Sequence, residues 1–140
     1  MQGPLLVIED SEEDIAVLRH ILTGVGFTRP IVHLAGAEEA LESLSKAELR
    51  PALILLDLNL PGLDGRGFLV EIKRVERLKS IPVIILSTSS AASDVEFCFQ
   101  HGVAGYIMKL MDLPEQARVM RAFVDYWFAS NVLPPSSSLP

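Results

Sequence analysis

Four short apolar runs in this chain each end in a polar or charged residue, and that pattern limits the fold more than any other feature. Residues 5–8 lead into Glu9 and Asp10, residues 53–56 into Asp57, residues 83–86 into Ser87, and residues 106–108 into Lys109. Runs of this length rich in Val, Ile and Leu read as strands buried on both faces, the habit of parallel sheets. The C-terminal ends of parallel strands share one edge, where open α/β sheets take their ligands. Three carboxylates, a hydroxyl and an ammonium would then meet there, although about a hundred residues separate the first from the last.

Helical patterns fall between the runs. Ser11 is placed to cap a helix with Ile15, Leu18, Leu22 and Val25 on one face, ended by Gly24 and Gly26. A weaker strand over 30–35 precedes a helix marked by Ala37, Ala40, Leu41 and Leu44. Pro51 sets off a strand over 52–57, and residues 61–65 form a loop by residue type. Phe68, Leu69, Ile72 and Val75 trace a third helix, and Pro82 precedes the fourth strand. A short fourth helix spans 94–101 and stops at Gly102; the fifth strand spans 105–109. Pro114 after Asp112 opens a last helix reaching about residue 131, with Pro114 at its first position. Five β-α alternations predict a parallel sheet with helices on both faces, hence an α/β doubly wound fold. The domain reading is one unit over 1–133, with a Pro/Ser tail over 134–140.

Bulk properties exclude several classes of function. At 140 residues the chain suits one domain with a real core. No apolar run nears the roughly 18 residues of a membrane helix, and the start of the chain lacks a basic segment, so a cytoplasmic protein without a membrane role is expected. A formal net charge of −6 disfavours nucleic acid. The basic stretch Lys73, Arg74, Arg77 and Lys79 is interrupted by Glu76 and reads as a solvated helix face. The single Cys98, between Phe97 and Phe99, reads as a packing residue. His20, His33 and His101 have no metal-ligand spacing.

The strand ends carry the chemistry. Glu9, Asp10 and Asp57 would crowd negative charge into one place, which a hard divalent cation relieves. Magnesium is the expected ion, with manganese or calcium able to take its place. Asp57 is the candidate nucleophile, since a carboxylate accepts a phosphoryl group as a mixed anhydride. Ser87 can donate to one phosphoryl oxygen and Lys109 can pair with another. Two rival readings are weaker. An aspartyl-nucleophile phosphatase wants a carboxylate two residues after the nucleophile, where this chain has Asn59. A flavin-binding module wants a phosphate loop after the first strand, where Glu9, Asp10, Glu12 and Glu13 would repel phosphate.

Val7, Ile8, Glu9 and Asp10; Leu56 to Pro61; Asp64 and Gly65; Leu86 and Ser87; and Gly105 to Lys109 together resemble the receiver domain of two-component response regulators. The resemblance covers residue 5 to about 130 and implies a flavodoxin-like (βα)5 sheet of order 2-1-3-4-5. It implies a phosphoacceptor signalling protein rather than an enzyme. Asp57 would take phosphate from a histidine kinase or a phosphotransfer protein. Asp10, Asp57 and the Asn59 carbonyl match the direct metal ligands, and Glu9 matches one acting through water. Ser87 and Lys109 match the phosphate-sensing pair, and Tyr106 the switch aromatic. Leu110 departs from the proline that usually follows the lysine. A cis bond before leucine costs about 3–4 kcal/mol, so the bond is either trans or cis with its strain held by the surroundings, and the sequence leaves the two open.

The last helix is rich in aromatics. Ala117, Met120, Val124 and Phe128 can serve a core, while Phe123, Tyr126 and Trp127 exceed one buried stripe and read, with Phe97, as a partner surface. No output domain is expected after the last helix, and the signal is expected to leave through a surface. The terminal aromatic pattern resembles single-domain regulators paired with bacterial phytochrome kinases. That resemblance implies a homodimer through the fourth helix, fifth strand and fifth helix, and a bacteriophytochrome as kinase.

Overall fold

The computed structural model describes residues 3–134. Strands and helices alternate throughout: β1 (Leu5–Ile8), α1 (Glu12–Gly24), β2 (Ile31–Leu34), α2 (Ala37–Ser45), β3 (Leu53–Leu56), α3 (Gly65–Lys73), β4 (Val83–Ser87), α4 (Ala92–Gln100), β5 (Gly105–Met108) and α5 (Leu113–Val124). All pairings are parallel, in the order β2-β1-β3-β4-β5. This is the doubly wound arrangement expected from the alternation. Of the tail expected over 134–140, all but Pro134 lies outside the described residues.

The sheet divides two cores. Leu6, Ile8, Ile54, Leu56, Val83 and Ile85 face α2, α3 and α4. Their neighbours Leu5, Val7, Leu53, Leu55, Ile84 and Leu86 face α1 and α5. The central strands β1, β3 and β4 are buried on both faces, and the edge strands β2 and β5 are half-buried. Each fully buried Leu or Ile contributes roughly 1.5–3 kcal/mol. That burial fixes the register on which the site depends.

The caps are local. Ser11 Oγ accepts from Asp14 N at 3.1 Å, Asp64 Oδ1 from Gly67 N at 3.0 Å, and Asp112 Oδ1 from Glu115 N at 3.3 Å. Gly65 has a stricter reason. A Cβ there would collide with the Asp57 carbonyl and lie 2.7 Å from Leu58 Cα, so only glycine lets α3 close against the end of β3.

Several boundaries differ from expectation: β2 and β3 are one residue shorter at each end, β5 is one shorter at its C-terminal end, and three helices shift. α3 ends at Lys73, leaving Val75 to pack against the core from the following turn. α4 begins at Ala92, two residues early. α5 starts at Leu113, which puts Pro114 at its second position. The last helix differs more. It is α-helical only to Val124, and Asp125–Ser130 continue as a π-helix. An i→i+5 spacing puts residues five apart on one side. Phe123 and Phe128 accordingly meet edge-to-face at 6.1 Å, and Phe128 meets Phe27 at 5.0 Å. Leu133, 6% exposed, joins the same core.

Burial corrects the expected partner surface at Phe123, which shares the buried stripe of α5 with Gln116 and Met120. Phe123 is 4% exposed and belongs to the core, not to an interface. Phe97 packs partly against the other core and stacks on His101 at 4.1 Å. Trp127 is half-buried on the α1/α5 side. Tyr126 alone of the four is well exposed, and it meets Trp127 edge-to-face at 5.0 Å.

Candidate functional site

Register brings the strand ends level. Ile8 lies opposite Leu56, and Ser87 opposite Met108. Asp57 N donates to the Ile8 carbonyl at 3.1 Å, and Lys109 N to the Ser87 carbonyl at 2.8 Å, carrying the ladder one residue past each strand. Glu9, Asp57, Ser87 and Lys109 therefore share one edge of the sheet, as the strand pattern required.

Glu9, Asp57 and Ser87 are buried, and Asp10 is exposed. Carboxylate oxygens of Glu9, Asp10 and Asp57 lie within 4.8 Å of one another. Burial pushes the Glu9 carboxyl up from its ordinary range; the charge of Asp57 adds to this, while Lys109 opposes it. The donors are all hard oxygens, and exposed Asp10 leaves one side open to water. This set suits a magnesium- or manganese-type ion. Asn59 N donates to Asp57 Oδ1 at 3.2 Å, which ties the loop after β3 to that carboxylate.

One cation answers these acids. Lys109 Nζ donates to Glu9 Oε1 at 2.6 Å, to Asp14 Oδ2 at 2.9 Å and to Asp57 Oδ2 at 3.4 Å. Burial opposes its charge, but the hydrogen bonds of Glu9 and Asp14 and the charges of Asp57 and Glu9 outweigh burial and hold the amine above the usual lysine range. Glu9 is held further by Ser11 N, which donates to Oε2 at 3.1 Å. His33 Nε2 lies 2.6 Å from the Glu9 carbonyl, an acceptor, so that nitrogen carries the proton. Among the described residues no peptide bond is cis, so Lys109–Leu110 is trans.

A second network lies on the α4 side. Ser87 Oγ accepts from Ser89 N at 3.1 Å, and Ser89 Oγ donates to Asp94 Oδ2 at 2.6 Å. Arg66 NH2 donates to Asp94 Oδ1 at 2.6 Å, and Tyr106 Oη to the Ser89 carbonyl at 2.8 Å. Tyr106 also packs against the α2/α3/α4-side core, and burial pushes its phenol up. The β4–α4 turn is thus tied to α3, α4 and β5 together.

Sequence reasoning missed Asp14, Ser89, Arg66 and Asp94. Asp14 carried one usable sign, an acid three residues past the Ser11 cap, in the first turn above β1. Arg66 and Asp94 carried none, because 28 residues separate them and only the packing of α3 beside α4 joins them.

Comparison with known proteins agrees with this architecture. Residues 5–121 match the response regulator receiver domain. The chain is 32% identical to the probable methanogenesis regulatory protein FilR2 of Methanothrix harundinacea, over 93% of this chain and 86% of that protein. It is 33% identical to response regulator Rcp1 of Synechocystis, over 93% of this chain and 92% of that one. The Mn(2+)-bound form of Rcp1 superposes with a TM-score of 0.87 over 95% of this chain and 99% of that one. The phosphorylated cyanobacterial phytochrome response regulator RcpA, 32% identical, superposes with a TM-score of 0.88 over 96% of this chain and 100% of that one. With its parallel sheet, its acid cluster and a family match over most of its length, the chain belongs to the response regulator receiver domain family.

Proposed function

We propose that this protein is a response regulator that accepts a phosphoryl group on Asp57 from a phosphohistidine donor. The observation that carries the reading is the setting of Asp57. Its carboxylate is 7% exposed, lies among acids able to hold a divalent ion, and has the Lys109 ammonium at 3.4 Å. In the transfer, Asp57 Oδ forms a P–O bond as the donor's P–N bond breaks, and the imidazole leaves with the electron pair and takes a proton from solvent. Asp10, Asp57 and the Asn59 carbonyl would hold a divalent ion directly and Glu9 through water, and such an ion would supply positive charge at the phosphoryl oxygens. Lys109 offers a compact cation to a further oxygen, and Ser87 a hydroxyl. Each group positions or neutralises, which is what phosphoryl transfer needs most.

The test is chemical. With Mg2+ and acetyl phosphate, intact mass should show one added phosphoryl group, and Asp57→Asn should take none. Label on Asp57→Asn, or none on the unchanged protein, defeats the assignment.

The likeness to Rcp1 and RcpA supports a phytochrome-type histidine kinase as the natural donor, directly or through a phosphotransfer protein. We propose further a cytoplasmic homodimer joined through α4, β5 and α5. Tyr126 would contribute, with the half-buried Trp127 and Phe97, and buried Phe123 would not. Light scattering at tens of micromolar, with and without a phosphoryl mimic, decides the dimer; monomer under both conditions removes it.

A further inference from the structure

An ammonium has three N–H bonds, and in Lys109 all three are committed. Two point to Glu9 and Asp14 at 2.6 and 2.9 Å, and the third faces Asp57 Oδ2 at 3.4 Å. The long bond is the one a phosphoryl oxygen on Asp57 would take up. The two short bonds fix the head of a side chain that otherwise has four rotatable bonds. These two anchors are not equivalent. Glu9 belongs to the acid cluster, so an ion there competes with Lys109 for its carboxylate. Asp14 stands outside the cluster, in the first turn of α1, where its own N–H is fixed by the Ser11 cap. Asp14 is thus the one partner of Lys109 that metal loading leaves alone.

We propose that Asp14 is a positioning residue that holds the Lys109 ammonium aimed at the acceptor carboxylate, before and after a divalent ion enters. This deepens the acceptor reading and rests on it.

The experiment compares the full chain with Asp14→Asn, Asp14→Glu and Glu13→Gln. Glu13 lies in the same acidic turn, is exposed, and has no ion pair among the described residues, so it controls for losing one charge beside the helix start. Two midpoints are read: Mg2+ alone by calorimetry, and beryllofluoride at saturating Mg2+. Asp14→Asn should weaken the beryllofluoride midpoint about two- to five-fold, the scale of a half-exposed ion pair, and leave the Mg2+ midpoint within two-fold. Asp14→Glu should recover part of the loss, and Glu13→Gln should match the parent. Without metal, the slowly exchanging ammonium 15N signal of Lys109 should persist in the parent and in Glu13→Gln, and vanish in Asp14→Asn. An Asp14→Asn protein with an unmoved or tighter beryllofluoride midpoint overturns the inference alone, as does an equal shift in Glu13→Gln. Failure of the unchanged protein to bind beryllofluoride with Mg2+ overturns the acceptor reading and the inference together.

Discussion

Asp57 lies between two polar networks that are built differently. On the α1 side a single ammonium, 17% exposed, is shared by Glu9, Asp14 and Asp57. On the α4 side the inner members Ser87, Ser89 and Tyr106 are neutral, and formal charge enters at the rim, where Arg66 pairs with Asp94 and Asp64. Desolvated charges depend on one another, because each left alone meets the full cost of burial. Hydroxyls lose about one hydrogen bond at a time. The first network should therefore fail as a unit, and the second by degrees.

The largest expected effect follows from that contrast. Lys109→Met leaves Glu9 and Asp57 buried without a cation. Removing one partner of a buried ion pair costs about 3–5 kcal/mol, and the partial exposure of Lys109 lowers this to roughly 2–3 kcal/mol. Urea unfolding in metal-free buffer at pH 7 should show a loss of that size. Mg2+ should then stabilise the variant more than the parent, because it supplies the missing positive charge. The loss should also shrink as pH falls, since burial already holds the Glu9 carboxyl above its ordinary range and a protonated Glu9 no longer needs the cation. Equal stability of variant and parent without metal would show that the three carboxylates do not rely on the lysine.

The two networks were also unequally legible in the sequence. Glu9, Asp57, Ser87 and Lys109 each follow an apolar run directly, so placing the strands placed the residues. Parallel register then carried them to one edge. Asp14 and the Arg66–Asp94 pair sit on helices, and their meeting depends on how α1 faces the end of β5 and how α3 lies beside α4. Periodicity reports which face of a helix is buried, but not which neighbour its polar rim will reach. The aromatic helix failed for another reason. The 3.6-residue spacing from Gln116 and Met120 already puts Phe123 on the buried stripe of α5, which a count of aromatics overlooks, and the π-helix after Val124 brings Phe128 against it. The recognised motifs ended at β5, and nothing in them marked the change of pitch.

A smaller effect tests the inner part of the α4-side network. Ser87 is fully buried, and its hydroxyl accepts from Ser89 N. Ser87→Ala leaves that N–H without its partner, at about 1–2 kcal/mol. Urea unfolding should show this loss equally with and without Mg2+, because no charge has changed. Asp57 should still take label from acetyl phosphate. A Mg2+-dependent loss would mean that the two networks are coupled through Asp57, and the contrast between them would narrow.

The smallest effect concerns the rim. The Ser89 hydroxyl first, and then Arg66, hold the Asp94 carboxyl below its ordinary value of 3.8. A depressed acid binds its proton less readily in the folded chain than in the unfolded one. Its contribution is therefore complete above about pH 3.8 and is lost as pH falls through the lower folded value. Asp94→Asn keeps an acceptor for Ser89 and removes only the charge facing Arg66. With both side chains partly exposed, the cost at pH 7 should be under about 1 kcal/mol. Thermal unfolding of both proteins between pH 7 and pH 3 should show Tm curves that run parallel at neutral pH and converge below pH 4. If the parent kept its full margin at pH 3, the advantage of Asp94 would lie in shape and hydrogen bonding. The α4-side network would then be neutral to its outer edge, and the contrast with the lysine network would be complete.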